Sequence, residues 1–220
     1  MTVKTGASLT GQVKGFARNR GADLVGIASI DRFEHAPEHH HPGFFLPGAK
    51  AVIVMALEIS SAILRNVASG KEHYSYCGYG VVFVNRELDH IAYNVAKFIE
   101  HQGYLAYPIP ANAPRDPLFR WGLSHRHAAL AAGMGQLGQS QNLLTPEFGP
   151  RQKLVSIITD APLEPDPLVR HELCDHCNSC VKICPSGALS ESRVDTAQID
   201  GVTFEYGHQT SGSAFSVAAG

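Results

Sequence analysis

The sequence predicts an α+β fold in which one α/β domain precedes a small cysteine-rich module. Helix-like and strand-like apolar patterns alternate from Leu9 to Thr159. Four of the five cysteines then fall between Cys174 and Cys184. A proline-punctuated segment, DAPLEPDPL, separates the two regions, and we place the boundary near Pro167.

Four apolar runs of strand length predict the strands of the first domain. Residues 24–28 read LVGIA, and residues 51–57 read AVIVMAL. The second run is continuously apolar, which is typical of a central strand that is buried on both faces. Residues 104–109 and 153–159 predict two further strands.

Periodic apolar residues and helix-stop signals predict three helices. The first carries an apolar stripe and ends before Gly21. The second, over residues 84–99, follows the 3.6-residue period and ends at Gly103. The third begins after Ser124 as N-cap and ends at Gly133.

The composition indicates an ordinary globular protein. Hydrophobic residues make up 44% of the chain, charged residues 17%, and the formal net charge is −2. Neither a nucleic acid nor an anionic membrane is therefore expected as a partner. No apolar run reaches the roughly 18 residues of a membrane-spanning helix, and the N-terminal residues lack the apolar region of a secretory signal. We expect a cytoplasmic protein, in a compartment whose reducing conditions keep thiols available for a metal.

The cysteine cluster carries the clearest chemical signal in the sequence. Cys174, Cys177, Cys180 and Cys184 are separated by two, two and three residues, and Pro185 follows the last of them. This spacing is that of a bacterial ferredoxin run, whose thiolates surround an iron–sulfur cluster. Zinc sites built from two CxxC pairs usually have a longer insert between the pairs, so a zinc protein is the less favoured alternative. The spacing predicts a 4Fe-4S cluster on these four thiolates.

The fourth ligand of this cluster stays open at the level of the sequence. In two-cluster ferredoxins, the fourth cysteine of such a run ligates the other cluster, and this sequence contains no second run. Cys184 could close the cluster locally, Cys77 could reach it, or an external ligand could do so. A further alternative is that the chain is a truncated two-cluster protein. Cys77 is otherwise expected to be a small buried hydrophobic residue.

Several polar residues outside the cysteine run are candidates for binding or proton transfer. Arg151 is a candidate to pair with the carboxylate or phosphate tail of a cofactor. His125 and His127, at the start of the third helix, are candidates for proton transfer. The histidines at 39–41 fit a solvated loop better than a metal site, because no cysteine or carboxylate pattern completes a ligand set.

Four segments occur in the order found in a known family. They are ADLVGIA (22–28), LPGAKAVIV (46–54), residues 124–167 with the core AAGMGQLGQSQNLLTPEFGP, and CDHCNSCVKICPSGAL (174–189). Together they resemble the epoxyqueuosine reductase-like family of iron–sulfur proteins, which is related to reductive dehalogenases. The resemblance covers about three quarters of the chain.

This resemblance implies a particular organisation. Residues 1–167 are expected to form a corrinoid-binding domain, a three-layer α/β/α structure with a nitroreductase-like sheet. Residues 168–192 would form a ferredoxin-type 4Fe-4S module, and residues 193–220 a tail in which Asp200 and Gly201 predict a hairpin turn.

The resemblance also implies cofactor contacts. Gly133, Gly135 and Gly138 would lie against a bound cobalamin. Glycines permit such a close approach because they lack a Cβ atom. The family's acidic proton donor has no counterpart at the matching place, where the chain reads PIPANAP, although Asp116 lies a little further on. No catalytic residue is therefore assigned.

The function implied is that of a reductase. Electrons would pass from an external donor to the 4Fe-4S cluster, then to the corrinoid, and finally to an unidentified small-molecule or nucleoside-like substrate. The alternative is a non-catalytic 4Fe-4S electron-transfer protein that docks on a partner.

Overall fold

A central sheet and six α-helices make up most of the part of the protein that the structure describes. The computed structural model describes residues 8–112 and 122–210. The helices are α1 (Leu9–Asn19), α2 (Pro42–Phe45), α3 (Ser61–Ala68), α4 (Val84–Glu100), α5 (His125–Ala131) and α6 (Ser179–Ile183). The strands are β1 (Leu24–Ser29), β2 (Ala51–Glu58), β3 (Ala106–Ile109), β4 (Gln136–Leu137), β5 (Leu143–Leu144), β6 (Gln152–Thr159), β7 (Leu189–Ile199) and β8 (Val202–Gln209).

The central sheet has the strand order β1-β2-β6-β3, and each neighbouring pair is antiparallel. The four predicted strands are confirmed, with small shifts at their ends. Strand β2 lies between β1 and β6, and its first six residues are all buried. The prediction of a central strand buried on both faces is therefore also confirmed.

Alternate residues of β2 face two separate hydrophobic clusters. Val52 and Val54 belong to the cluster that contains the buried alanines of α5. Ile53 and Met55 belong to the other cluster, with the apolar residues of α1 and α4. Side chains of a strand point alternately to its two faces, so the two clusters lie on opposite faces of the sheet. Helices therefore cover both faces and exclude water from both.

The predicted helix ends are confirmed, and each has a local cause. Helix α1 ends at Asn19, and Gly21 has a φ of 108°. Helix α4 ends at Glu100, just before Gly103. Helix α5 begins after Ser124, whose hydroxyl accepts a hydrogen bond from the backbone N–H of His127 at 3.5 Å. The positive φ of Gly133 allows the chain to leave α5, because glycine adopts that conformation without strain.

Strands β7 and β8 form a hairpin that turns at Asp200 and Gly201, as predicted. Ile199 and Phe204 from this hairpin are buried in the hydrophobic cluster on the α5 side of the sheet. The predicted division between residues 192 and 193 falls within β7, so the hairpin continues directly from the cysteine module. The division of the chain into domains stays a prediction.

Arg32 connects the segment that precedes the cysteines to the rest of the protein. Its Nη1 donates to the carbonyl oxygens of Ala131 at 2.8 Å and Asp166 at 2.7 Å. Its Nε donates to the Asp200 carboxylate at 2.7 Å. The Asp166 side chain in turn accepts from the backbone N–H of Ile27 at 2.8 Å. The end of α5, the linker and the hairpin turn are thus fixed to one another.

The fold is a mixture of helices and sheet with a cysteine module near its C-terminal end. This agrees with the predicted α+β class, whereas the specific nitroreductase-like arrangement stays a prediction. Among the residues that the structure describes, no helix combines the length and apolar character needed to cross a membrane.

Candidate iron–sulfur site

The four clustered cysteines lie on an irregular loop and a short helix. His176 and Asn178, on either side of Cys177, have φ values of 51° and 56°. These two left-handed residues bend the chain on either side of Cys177, and Asn178 stands at the N-cap position of α6, which carries Cys180. Left-handed residues make a loop irregular, and such loops can turn several side chains toward one side of the chain.

The geometry leaves the ligand set untested. All five cysteines are free thiols, and Cys177 is exposed. Over residues 8–112 and 122–210, no three His, Cys, Asp or Glu side chains converge closely enough to hold a metal ion. The assignment of Cys174, Cys177, Cys180 and Cys184 as ligands is therefore still a prediction, which rests on the chemistry and spacing of four thiols on one short loop.

Cys184 has surroundings that favour a thiolate. Its Sγ lies 3.6 Å from the Ser186 hydroxyl. Hydrogen bonds from Ser186, and from the backbone N–H groups of Leu189 and Ala188, lower the pKa of Cys184 to about 7. A thiolate is the form that binds a metal, so these donors fit Cys184 for the role of a cluster ligand.

The predicted cofactor-binding glycines pack against the protein's own backbone. A Cβ atom on Gly133 would lie 2.1 Å from the Pro167 carbonyl oxygen, and one on Gly135 would lie 1.9 Å from that of Leu144. Real Cβ atoms do not approach so closely, so packing alone requires glycine at both positions. Their predicted contact with a cofactor stays a prediction.

The same segment is hydrogen-bonded to the start of the cysteine module and lies close to Cys174. A Cβ atom on Gly138 would lie 3.5 Å from Cys174 Sγ. The amide of Gln136 donates to the carbonyl oxygen of Val169 at 3.1 Å and accepts from the backbone N–H of Leu173 at 3.2 Å. The cysteine loop is thereby held against the segment between α5 and β5.

A polar network joins α5 to the hairpin. The Nδ1 of His127 lies 2.8 Å from the Ser124 hydroxyl, and its Nε2 lies 3.1 Å from the Tyr206 hydroxyl. Burial, followed by the charge of Arg126, lowers the pKa of His127 to about 4. Burial also raises the pKa of Tyr206. A neutral imidazole therefore faces a protonated phenol at neutral pH, an arrangement that can hold or transfer a proton.

Sequence reasoning missed Tyr206 as a member of this network. The sequence predicts only a hairpin there, and no local motif marks the tyrosine. The predicted hairpin places Tyr206 near the chain's end, but its contact with His127 depends on how the hairpin packs on the rest of the fold. His125, the other predicted proton-transfer candidate, instead contacts the Ser156 hydroxyl at 2.8 Å and the Pro110 carbonyl oxygen at 3.0 Å.

The remaining candidates have protein partners or lie apart from the network. Arg151 donates from Nη1 to the Glu58 carboxylate and the Ser61 hydroxyl, both at 2.6 Å. His40 contacts the Gly122 carbonyl oxygen at 2.6 Å. Cys77 is exposed rather than buried and lies within a π-helical segment, Tyr76–Phe83. Asp116 lies outside the described residues.

Comparison with known proteins finds one matching domain family and two kinds of similar protein. A 4Fe-4S binding domain family matches residues 167–190, which contain all four clustered cysteines. This match supports a 4Fe-4S cluster in the module.

The predicted resemblance is confirmed by curated relatives of both kinds. An epoxyqueuosine reductase from Listeria monocytogenes is 45% identical over 182 residues, which cover 79% of this chain and 45% of that protein. An epoxyqueuosine reductase from Bacillus cereus is 26% identical over 79% of this chain and 50% of the relative. A tetrachloroethene reductive dehalogenase from Sulfurospirillum multivorans is 27% identical over 83% of this chain and 41% of the relative. The chain thus spans about half the length of these relatives, or less.

Solved structures of the same two kinds share the fold. An epoxyqueuosine reductase in complex with a tRNA stem loop matches with a TM-score of 0.55 and 19% identity, over 80% of this chain and 52% of that one. A reductive dehalogenase matches with a TM-score of 0.63 and 21% identity, over 92% of this chain and 29% of that one. The structure of that enzyme suggests a mechanism for B12-dependent dehalogenation. The expectation that no nucleic acid is bound is not supported, because a structural relative binds tRNA.

Proposed function

We propose that the chain is an iron–sulfur reductase in which a 4Fe-4S cluster delivers electrons to a corrinoid held by the α/β domain, and so to a substrate not yet identified. The observation that carries the proposal is the pair of hydrogen bonds between Gln136 and the backbone of Val169 and Leu173, which joins the segment expected to face the cofactor to the start of the cysteine loop. The fold is shared with a reductive dehalogenase whose structure suggests a mechanism for B12-dependent dehalogenation, and this similarity supports the proposal that a corrinoid binds here.

Each part of the site has a defined role in this proposal. The thiolates of Cys174, Cys177, Cys180 and Cys184 would hold the cluster, and the hydrogen bonds to Cys184 favour its thiolate form. A corrinoid would supply a redox-active cobalt centre when bound. Gly133, Gly135 and Gly138 would bring backbone, rather than side chains, toward that cofactor.

The pair of His127 and Tyr206 is the proposed proton source. Reduction of most substrates consumes protons as well as electrons. The Tyr206 hydroxyl carries its proton at neutral pH, since the pKa of a phenol is ordinarily about 10 and burial raises that of Tyr206 further. When Tyr206 donates to Nε2 of neutral His127, the Nδ1–H donates to Ser124, so both ring nitrogens have partners. The network can therefore hold one proton at the Tyr206 oxygen.

A second candidate function is electron transfer without catalysis. Ile183, one residue before Cys184, is 81% exposed. An exposed apolar side chain beside the cysteine loop offers a contact for a redox partner, and electron-transfer complexes typically use small interfaces of this kind.

Iron and sulfide analysis of anaerobically reconstituted protein tests the cluster. We expect about four irons and four sulfides per chain, together with the broad visible absorbance of a 4Fe-4S cluster. Replacing Cys174, Cys177 or Cys180 by Ser should abolish this content. Cys184→Ser and Cys77→Ser form a matched pair, because only the variant that removes a ligand should lose iron. Stoichiometric zinc without sulfide would contradict the cluster.

Corrinoid binding separates the two functions. Addition of cob(II)alamin to the reconstituted protein should shift the corrin absorbance if the α/β domain binds the cofactor. An unchanged spectrum at saturating cobalamin, with an intact cluster, would exclude the corrinoid reductase and favour the electron-transfer protein.

A further inference from the structure

A cavity with two arginines lies between α3 and the turn that precedes β6. It is a groove of about 390 Å³ that is open to solvent, so a small ligand bound there would stay partly exposed. The lining residues are Ser61, Leu64, Arg65, Ala68 and Arg151. Four of these follow the i, i+3, i+4, i+7 spacing of α3, so one face of that helix forms a wall of the cavity.

Arg151 is held in place but keeps donors for a ligand. It uses a single nitrogen, Nη1, for its bonds to the Glu58 carboxylate and the Ser61 hydroxyl. A guanidinium has five N–H donors, so its other nitrogens remain available. Ser61 acts as an acceptor toward Arg151, and its own O–H is therefore free to donate to a bound anion.

Arg65 supplies a charge that no described residue neutralises. In the part of the chain that the structure describes, no hydrogen bond or ion pair involves its side chain. Two guanidinium groups and the single carboxylate of Glu58 leave one net positive charge at the cavity. Such an arrangement favours an anionic ligand, and planar guanidinium groups match carboxylate and phosphate oxygens well.

We propose that Arg65, Arg151 and Ser61 form a binding site for the oxyanion group, phosphate or carboxylate, of a small molecule. Leu64 and Ala68 offer an apolar surface to the part of the ligand that adjoins the anionic group. The site extends the prediction made for Arg151 alone and does not depend on the proposed reductase function.

Titration of the full chain with inorganic phosphate and with acetate, followed by ¹⁵N–¹H NMR at constant ionic strength, tests the site. We expect the amide chemical shifts of α3 residues and of Arg151 to change saturably with at least one of the two anions. Arg65→Gln should weaken this binding about tenfold, because it removes a charge-assisted hydrogen bond. It should not affect folding, since Arg65 has no described partner.

Arg18→Gln is the matched control, because Arg18 is an exposed arginine on a different helix. The Arg18→Gln variant should bind the anion as tightly as the unchanged protein does. Unsaturable shifts spread over the surface, or equal affinity of the Arg65→Gln and Arg18→Gln variants, would overturn the proposal.

Competition identifies where the oxyanion comes from. Cobalamin carries a phosphate in its nucleotide tail, whereas cobinamide lacks that tail. If phosphate displaces cobalamin but not cobinamide, the site holds the cofactor's tail. If phosphate binds at α3 without displacing either corrinoid, the site belongs to a substrate or another small anion.

Discussion

At the scale of single residues, His127 combines burial with two hydroxyl partners. Its pKa is lowered from the ordinary value of 6.5 to about 4 because burial disfavours the charged ring. The unfolded chain takes up a proton on this residue near pH 6.5, whereas the folded protein does so only near pH 4. Between these pH values the unfolded state binds more protons, so folding is less favourable at lower pH.

We predict that His127 makes the protein less stable as the pH falls from 7 to 4. Its contribution is complete above pH 6.5 and is lost as the pH falls to about 4, with an upper bound of about 3 kcal/mol. Urea unfolding at a series of pH values measures this slope. His127→Gln should flatten it, whereas a slope equal to that of the unchanged protein would contradict the assignment.

Sequence reasoning reached some of these residues and not others. His127 stood out because a histidine near a helix start is chemically distinctive. Tyr206 did not, because its contact with His127 depends on a pairing 79 residues apart in sequence. Likewise, the spacing of the cysteines identified the cluster motif, but it could not tell that Ser186 and two backbone N–H groups would surround Cys184.

At the scale of elements, the glycines between α5 and β5 determine how closely segments approach. Gly135 immediately precedes β4, and its Cα faces the carbonyl oxygen of Leu144 in β5. The sequence indicated that close approach was needed here, and it suggested a large cofactor as the reason. The structure provides a sufficient reason in the protein's own backbone.

We predict that Gly135→Ala destabilises the protein by about 3 kcal/mol or more, because the added Cβ must displace the β5 backbone. Gly15→Ala is the control. Gly15 lies within α1, and a Cβ there meets nothing within 4 Å. That substitution should stabilise the protein by about 0.5–1 kcal/mol. Thermal or urea unfolding of both variants measures the difference, and a small effect of Gly135→Ala would show that β5 moves easily.

The existence of elements was predictable, whereas their arrangement was not. Residues 51–57 are apolar throughout, so a buried strand was the natural reading. Helix ends followed from Gly21, Gly103 and Gly133. The order β1-β2-β6-β3 depends on pairing β2 with a strand nearly 100 residues further along, and local patterns contain no information about such pairs.

At the scale of the whole molecule, Arg32 holds three distant parts together. Its side chain contacts the end of α5, the linker before the cysteines and the hairpin turn. It is only 9% exposed, whereas the Asp200 carboxylate is 42% exposed. The bonds to the two carbonyl oxygens should therefore contribute more than the ion pair, which solvent weakens.

We predict that Arg32→Gln costs about 2–4 kcal/mol and that Asp200→Asn costs less than about 1 kcal/mol. Asparagine tolerates the positive φ at residue 200, so that variant removes the charge without straining the turn. Urea unfolding gives both values, and hydrogen exchange should show faster opening of β7 and β8 in Arg32→Gln. Equal costs for the two variants would mean that the ion pair, rather than the carbonyl contacts, is the important interaction.

The hairpin has a consequence for the order of events during synthesis. Ile199 and Phe204 complete the hydrophobic cluster around α5, yet they follow all four clustered cysteines in the chain. Because a ribosome releases residues in sequence order, the cysteines emerge before this part of the protein interior can close. If the proposed cluster binds these thiols, we therefore expect it to be inserted while their surroundings are still open, before the hairpin closes.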